Sequence, residues 1–436
     1  MDTSILMFGA GAIITLSFLF SMVSRRTNVP TVLMLMALGY LIGQFVPLGE
    51  GYDAIEKTAL SLLGTVGVIL IVLEAALDLH LEKENVGMII KSVVLASAML
   101  GVTSLLIAIS LVFFLDLGWL QGWLYAVPLA VMSSAIIIPS VGGLAKGSRD
   151  FLTFESAFSD ILGIVLFYAL AGAADPGHEG SLFLGSLNGV ALTLVLSVVL
   201  TYLLIIFFQA VEGHVKLFFL IGILIMLYGA GKYFHLSPLL LILIFGLGLN
   251  NKNLFFRGSF AFLIHDETFD NIVKDFRIIT LESAFVVRTF FFVVFGISIT
   301  LTPLLDPWVW VITLCALVAI YVPRFIGLKL AGRTKVSPEI YVAPRGLITV
   351  LLFYGIPENM LSEQFNTGIL VLTILVTSFV MSFGLILDGR KSSSSKGGKP
   401  GKSAGEHVDD PLLADQPEAS VLGTSSDSSD AISDPT

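Results

Sequence analysis

Apolar residues in this chain come in runs of about 20, cut by short polar connections; that length crosses the hydrocarbon core of a bilayer as one helix. Thirteen such spans are predicted, at about 5–23, 29–46, 58–79, 88–115, 119–144, 153–174, 187–210, 216–234, 236–250, 283–301, 307–328, 338–356 and 367–387. The basic residues sort on them. With the N-terminus outside, the loops with Arg25 and Arg26, Lys83 and Lys91, Lys146 and Arg149, Lys216, Lys252, Arg257, Lys274 and Arg277, and Lys329, Arg333 and Lys335 all fall inside. Arg390 and Lys391 of the tail fall inside too, and only Lys57 and Lys232 are left outside. One helix more or fewer would scramble this sorting.

Composition agrees with the pattern. Of 436 residues 56% are hydrophobic and 13% charged, against about 25% charged in soluble domains, so the chain is expected to be an all-α polytopic membrane protein. Residues 1–388 form the transmembrane domain, and 389–436, rich in Ser, Lys, Gly and Asp, read as a disordered cytoplasmic tail. The connection from Asn250 to Thr280 mixes apolar residues with charges and reads as an interfacial amphipathic helix. A single cysteine, Cys315, excludes an intramolecular disulfide and a cysteine zinc cluster. No basic patch stands outside the membrane-flanking loops, so nucleic acid is not an expected partner. The first apolar run lacks a basic leader and reads as a span rather than a cleaved signal.

Taking spans 1–6 and 8–13 as halves, with span 7 as linker, gives two six-helix repeats of inverted topology. The fifth span of each half is interrupted. One reads VPLAVMSSAIIIPSVGGL, with Pro128, Pro139, Gly142 and Gly143; the other reads SPEIYVAPRGLITVLLFYG, with Pro344 and Gly346 beside Arg345. Matching interruptions in two halves point to a transport site near the midplane, where broken helices offer carbonyls and helix ends to an ion.

Five charged residues lie well within spans: Glu74, Glu155, Asp160, Arg288 and Arg345. A carboxylate at that depth costs about 2.5–3.5 kcal/mol on insertion scales, so each needs a reason. Asp160 sits about two turns into span 6, with Ser156 one turn earlier on the same face. Asp160 and Ser156 are expected to face a hydrated cavity and Glu155 to pair with Arg345. A desolvated lone carboxylate becomes a site where a proton and a metal cation compete, and hydroxyls and carbonyls complete an oxygen ligand set for Na+ or K+. Ser133 and Ser134, beside the break in span 5, are candidate ligands or helix-packing serines. Glu74 is either an ion-approaching acid or solvated at the cytoplasmic end, Arg288 either a structural partner or a charge that tunes a carboxylate. Arg324 is expected to snorkel. GYLIG, Gly39 to Gly43, reads as a small-residue packing face, and no histidine lies at mid-span.

These segments resemble the cation:proton antiporter superfamily, in its NhaP-type Na+/H+ exchanger branch. FESAFSDILGIVLF is similar to that branch's E-S-x-x-N-D-G signature, matching at Glu155, Ser156 and Asp160, with Ser159 in place of Asn. VVRTFFFVVFGISI is similar to the tenth-helix motif at Arg288 and Gly296, APRGLITVLL to the R-G helix at Arg345 and Gly346, and LIVLEAALDL to the third-helix segment at Glu74. Where NhaP-type chains read T-D-P this one has Ser133-Ser134-Ala135, closer to the S-S-T-A of KefC-type exchangers. The resemblance covers about residues 5 to 388. It implies a NhaA/NhaP-like fold with crossed broken helices, a homodimer, and a core of about 58–174 and 283–388 that moves like an elevator against the remainder. It also implies that Asp160 is the shared proton and cation site, that Ser156 assists it, and that Glu155 and Arg345 are structural.

The function expected is therefore secondary antiport of cytoplasmic Na+, alternatively K+ or Li+, for external protons. With one aspartate at the crossing the exchange is expected to be electroneutral. No enzyme activity and no resident cofactor are expected. The membrane is expected to be the plasma (bacterial inner) membrane, with the N-terminus outside and the C-terminus cytoplasmic. A proton-coupled symporter of an organic solute and a non-transporting membrane sensor are the competing readings. An intramembrane hydrolase lacks a second facing aspartate or a His or Lys partner at depth.

Overall fold

The computed structural model describes residues 3–27, 29–45, 52–79, 86–174, 195–204, 216–233, 238–252, 266–300, 302–332 and 336–396. Lipid offers no partner to backbone N–H and C=O groups, so a chain this apolar must satisfy them internally, and all α-helices do so. Among the described residues the helices are α1 (Thr3–Thr27), α2 (Thr31–Phe45), α3 (Tyr52–Asp78), α4 (Val86–Leu115), α5 (Trp119–Ala130), α6 (Ser134–Ser140), α7 (Lys146–Ala173), α8 (Val195–Leu204), α9 (Lys216–Tyr233), α10 (Pro238–Asn250), α11 (Asp266–Ser298), α12 (Pro307–Leu330), α13 (Leu347–Tyr354) and α14 (Gly368–Lys396). Each of the thirteen predicted spans holds helix. Among the described residues seven stretches, α5 and α6 counted together, are long and apolar enough to cross a bilayer on length and composition alone.

Three boundaries differ from expectation. The described part of the 250–280 connection is not a separate interfacial helix: from Asp266 it belongs to α11, whose 33 residues reach about 50 Å at 1.5 Å per residue, beyond a hydrocarbon core of about 30 Å. Residues 253–265 lie outside the described residues. Of the tail expected to be disordered, residues 389–396 continue α14, and the remainder lies outside the described residues. The twelfth span is helical only in its second half; residues 337–341 form turns and 342–346 are irregular before α13 begins.

Glycine governs the tightest helix contact. A Cβ on Gly39 would stand 3.0 Å from Gly296 Cα and run into the Val293 carbonyl, and one on Gly43 would stand 3.2 Å from the Ile297 carbonyl. The small-residue face of α2 is thus pressed against α11, as the sequence pattern anticipates. Helix α11 packs chiefly on α2 and α3, and α3 on α10; a second group gathers around α4, which packs on α5, α7 and α12. Helices α3 and α11, assigned by the sequence to the core ranges, therefore lie with α2 and α10.

The fifth span breaks after Ala130, at neither of its prolines. Val131 and Ser133 are extended, with φ/ψ of −66°/131° and −87°/107°. Here the extended segment meets the irregular segment before α13: Ser133 N–H donates to the Pro344 carbonyl at 3.0 Å. A Cβ on Gly346 would lie 2.8 Å from Ser133 Oγ and 2.6 Å from Ile136 Cδ1, so the crossing needs glycine for close approach. Gly346→Ala overpacks this point and is expected to destabilise by about 1–3 kcal/mol, read as a lower unfolding temperature of the detergent-solubilised protein; a melt identical to the parent would show the crossing has room.

Candidate ion-binding site

Breaking a helix in lipid frees backbone groups that must be matched elsewhere. At this break the side chains of α7 and of the 342–346 segment match them. Met132 N–H donates to Ser159 Oγ at 3.0 Å, and Ser134 N–H donates to Asp160 Oδ2 at 3.1 Å. Asp160 and Ser159 are neighbours on α7, so this helix holds both sides of the break. The α5 carbonyls of Leu129 and Ala130 accept from Arg345 Nε at 2.8 Å and Nη2 at 2.9 Å, and Ala343 O accepts from Nη1 at 2.6 Å. A cation there also complements the negative end of the α5 dipole. Arg345 N–H itself donates to Thr377 Oγ1 at 3.0 Å on α14.

Two polar atoms at the crossing keep unused capacity. Asp160 is 2% exposed, and its Oδ1 has no hydrogen-bond partner; Ser133 Oγ is buried and equally unpartnered. The Ser134 hydroxyl stands beside the same carboxylate. A buried carboxylate oxygen with nothing on it is costly, which a proton or a cation corrects. Ser156, the expected second ligand, is fully buried one turn earlier on α7, and its hydroxyl donates to the Thr153 carbonyl at 3.2 Å. Asp160 and Ser156, expected to face a hydrated cavity, are both buried. A cavity of about 10 Å³, the size of a single water site, does lie beside the crossing, lined by Thr103, Met132, Ser159, Arg324 and Arg345 among others.

The ion pairs differ from those expected. Glu155, fully buried, takes Arg324 and not Arg345: Oε1 accepts from Nη1 at 2.8 Å and Oε2 from Nη2 at 3.1 Å. Arg324 does not snorkel. It is 2% exposed, and it also donates to the Glu339 carbonyl at 2.9 Å and to Met132 Sδ at 3.2 Å. One guanidinium on α12 thus ties α7, the first break and the approach to the second. Removing one partner of such a pair costs about 3–5 kcal/mol, because the other charge stays buried alone.

Glu74 is not simply solvated. Both its oxygens accept from Arg288 Nη2, at 2.9 and 2.7 Å, and the two side chains are 18% and 17% exposed. The pair joins α3 to α11, within the helix group of α2 and α10 rather than at the crossing. The structure therefore brings together Asp160, Ser133, Ser134 and Ser159, with Arg345 beneath them, Ser156 one turn away, and Glu155 and Glu74 each committed to an arginine. Sequence reasoning took Arg324 for a snorkelling residue and passed over Thr377 and Glu339. Glu339 is 2% exposed, and its Oε1 accepts from Ser148 Oγ at 2.7 Å. The one available signal was a charged residue inside each of the apolar windows that hold Arg324 and Glu339.

Comparison with known proteins bears on the fold and the family. No curated protein matches the chain. Among solved structures, the sodium proton antiporter MjNhaP1 from Methanocaldococcus jannaschii at pH 8 superposes with a TM-score of 0.64 at 19% identity, over 90% of this chain and 98% of that one. An electron-microscopy structure of the same antiporter gives a TM-score of 0.64 at 20% identity, over 92% and 100%. At this identity the likeness establishes the fold. The family described as the sodium/hydrogen exchanger, transmembrane, matches residues 12–387, nearly the whole membrane-embedded chain, and the protein belongs to that family.

Proposed function

We propose that this integral membrane protein exchanges one monovalent cation for one proton at Asp160, with Na+ the first candidate and K+ or Li+ the alternatives. The observation that carries this reading is the unpartnered Oδ1 of a buried aspartate beside an unpartnered Ser133 hydroxyl, where two interrupted helices cross. The acid is held in place through Oδ2 by the Ser134 amide, which leaves Oδ1 for the ion. Ser133, Ser134 and, one turn earlier on α7, Ser156 are assigned as the hydroxyls that complete the set. Hard, weakly charged cations prefer such oxygen sets. Among the described residues no three of His, Cys, Asp and Glu gather as they would for a tightly bound divalent metal.

Electroneutrality follows from charge balance. Glu155 and Glu74 each sit on an arginine, leaving Asp160 as the carboxylate at the crossing free to change occupant. Proton and monovalent cation then carry the same charge through the site. Alternating access is assigned to the α4–α7 group with α12–α14 moving as an elevator against α1–α3 and α9–α11, a division that follows the packing and moves α3 and α11 out of the core range first assigned to them. A homodimer, built on the less mobile group, is part of the same proposal.

In proteoliposomes Asp160→Asn is expected to abolish cation-driven proton flux while the unfolding temperature stays close to the parent's; normal flux would remove the assignment. Ser133→Ala deletes one neutral ligand and is expected to raise the apparent KM for the cation about 2- to 10-fold. Flux should not respond to an imposed membrane potential, and a strong response would refute one-for-one exchange. Because proton and cation compete for Asp160, the cation KM should rise as the pH on the same side falls, approaching about tenfold per pH unit when protons dominate; a KM indifferent to pH would show separate sites.

A further inference from the structure

Arg345 and Arg324 hold more hydrogen-bond donors than the contacts around the crossing use. A guanidinium carries five N–H groups, always charged and never acceptors. Arg345 donates once from each nitrogen, to the carbonyls of Leu129, Ala343 and Ala130, which leaves one N–H on Nη1 and one on Nη2. Arg324 gives Nε to the Glu339 carbonyl, Nη1 to Glu155 and Met132 Sδ, and one Nη2 hydrogen to Glu155, which leaves a single N–H. Both side chains are 2% exposed, so bulk solvent does not meet these donors, and buried donors are seldom left bare. Both also line the cavity of about 10 Å³ beside the crossing. Two hydroxyls line it with them: Ser159 on α7 and Thr103 on α4, each 3% exposed. Ser159 Oγ accepts from Met132 N–H and keeps a second lone pair and a hydrogen of its own. Asp160 is not among the lining residues, so the cavity is distinct from the proposed ion site.

We propose that this cavity binds one ordered water molecule, held by Arg345, Arg324, Ser159 and Thr103, and that the water joins α4 to the crossing. The size fits, since a volume of about 10–15 Å³ on this measure holds one water. The chemistry fits as well. A water accepts from the guanidinium N–H groups and donates to the two hydroxyl oxygens, whereas an apolar filler would leave all four unmatched. Arg345 and Ser159 are the side chains that hold the broken backbone of α5, so the water belongs to the same bracket. Thr103 is the one hydroxyl that α4 brings to it, a positioning residue that acts on the crossing through the water. The site stands on this geometry and not on which ion the protein carries.

X-ray radiolysis read by mass spectrometry tests this without a transport assay, because hydroxyl radicals made from a bound water oxidise the side chains it touches. Met132 lines the cavity and is 4% exposed; Met36 and Met381, at 2% and 0%, do not line it and serve as dry references. In the detergent-solubilised protein Met132 is expected to be oxidised faster than both references. A rate equal to theirs would show a dry cavity and overturn the site. Thr103→Val removes the α4 hydroxyl while keeping nearly the same shape, and is expected to bring Met132 down toward the reference rate. Thr103→Ser keeps a hydroxyl and is expected to retain the parent rate. Undiminished oxidation in Thr103→Val, or equal loss in both variants, would overturn Thr103 as a holder of the water. Ala96→Val fills the space from α4 and is expected to lose the Met132 signal as well; an unchanged signal would show that the oxidant comes from elsewhere. An unfolding temperature that rises as chloride replaces gluconate at constant ionic strength would place a halide in the cavity and overturn the water.

Discussion

Backbone amides and carbonyls released inside hydrocarbon have no water to turn to, and each left bare costs several kcal/mol. That constraint shapes the crossing of the two interrupted spans more than any ligand does. Between residues 129 and 134 the freed groups find partners one by one: two carbonyls on Arg345, the Met132 amide on Ser159, the Ser133 amide on Pro344 O, and the Ser134 amide on Asp160. The site is therefore a by-product of backbone bookkeeping. Asp160 holds the break with one oxygen, and its second oxygen is left without a hydrogen-bond partner.

The arginines divide the remaining work by geometry. Arg345 has the planar fork of donors needed to gather several carbonyls, and it spends that fork on the end of α5 and on Ala343. Arg324 uses the same fork bidentately on Glu155. Had Arg345 paired with Glu155, the Leu129 and Ala130 carbonyls would lack their donor. Had either guanidinium reached Asp160, the aspartate would have a permanent counter-ion and no reason to exchange one. Placing both arginines on other partners is what leaves the aspartate available, while Glu74 and Arg288 settle their charges between α3 and α11.

The hydroxyls are used with similar economy. Ser159 stands where the resembled branch carries an amide side chain, and a single hydroxyl oxygen suffices to receive Met132 N–H. Ser133 is pressed so close to Gly346 that its Oγ cannot be crowded further, and it points no hydrogen bond at any protein group. One helix thus carries both the bracket for the break and the aspartate of the proposed ion site.

The one-dimensional pattern was enough for the class, the spans, the broken pair, the α2 packing face and the position of Asp160 beside the break. Span length, small-residue spacing and the cost of a charge in an apolar run are local properties, and lipid enforces them residue by residue. Partner choice was not legible. Arg324 looks like a snorkelling residue near a helix end, and only the approach of α7 and of Glu339 to α12 makes it the counter-ion of Glu155. Likewise the continuation of α11 back to Asp266, the irregular first half of the twelfth span and the placement of α3 and α11 beside α2 and α10 depend on what packs across them. Which charges meet depends on helix rotation and depth, and those are settled by neighbours far away in the chain, not by the segment that carries the charge.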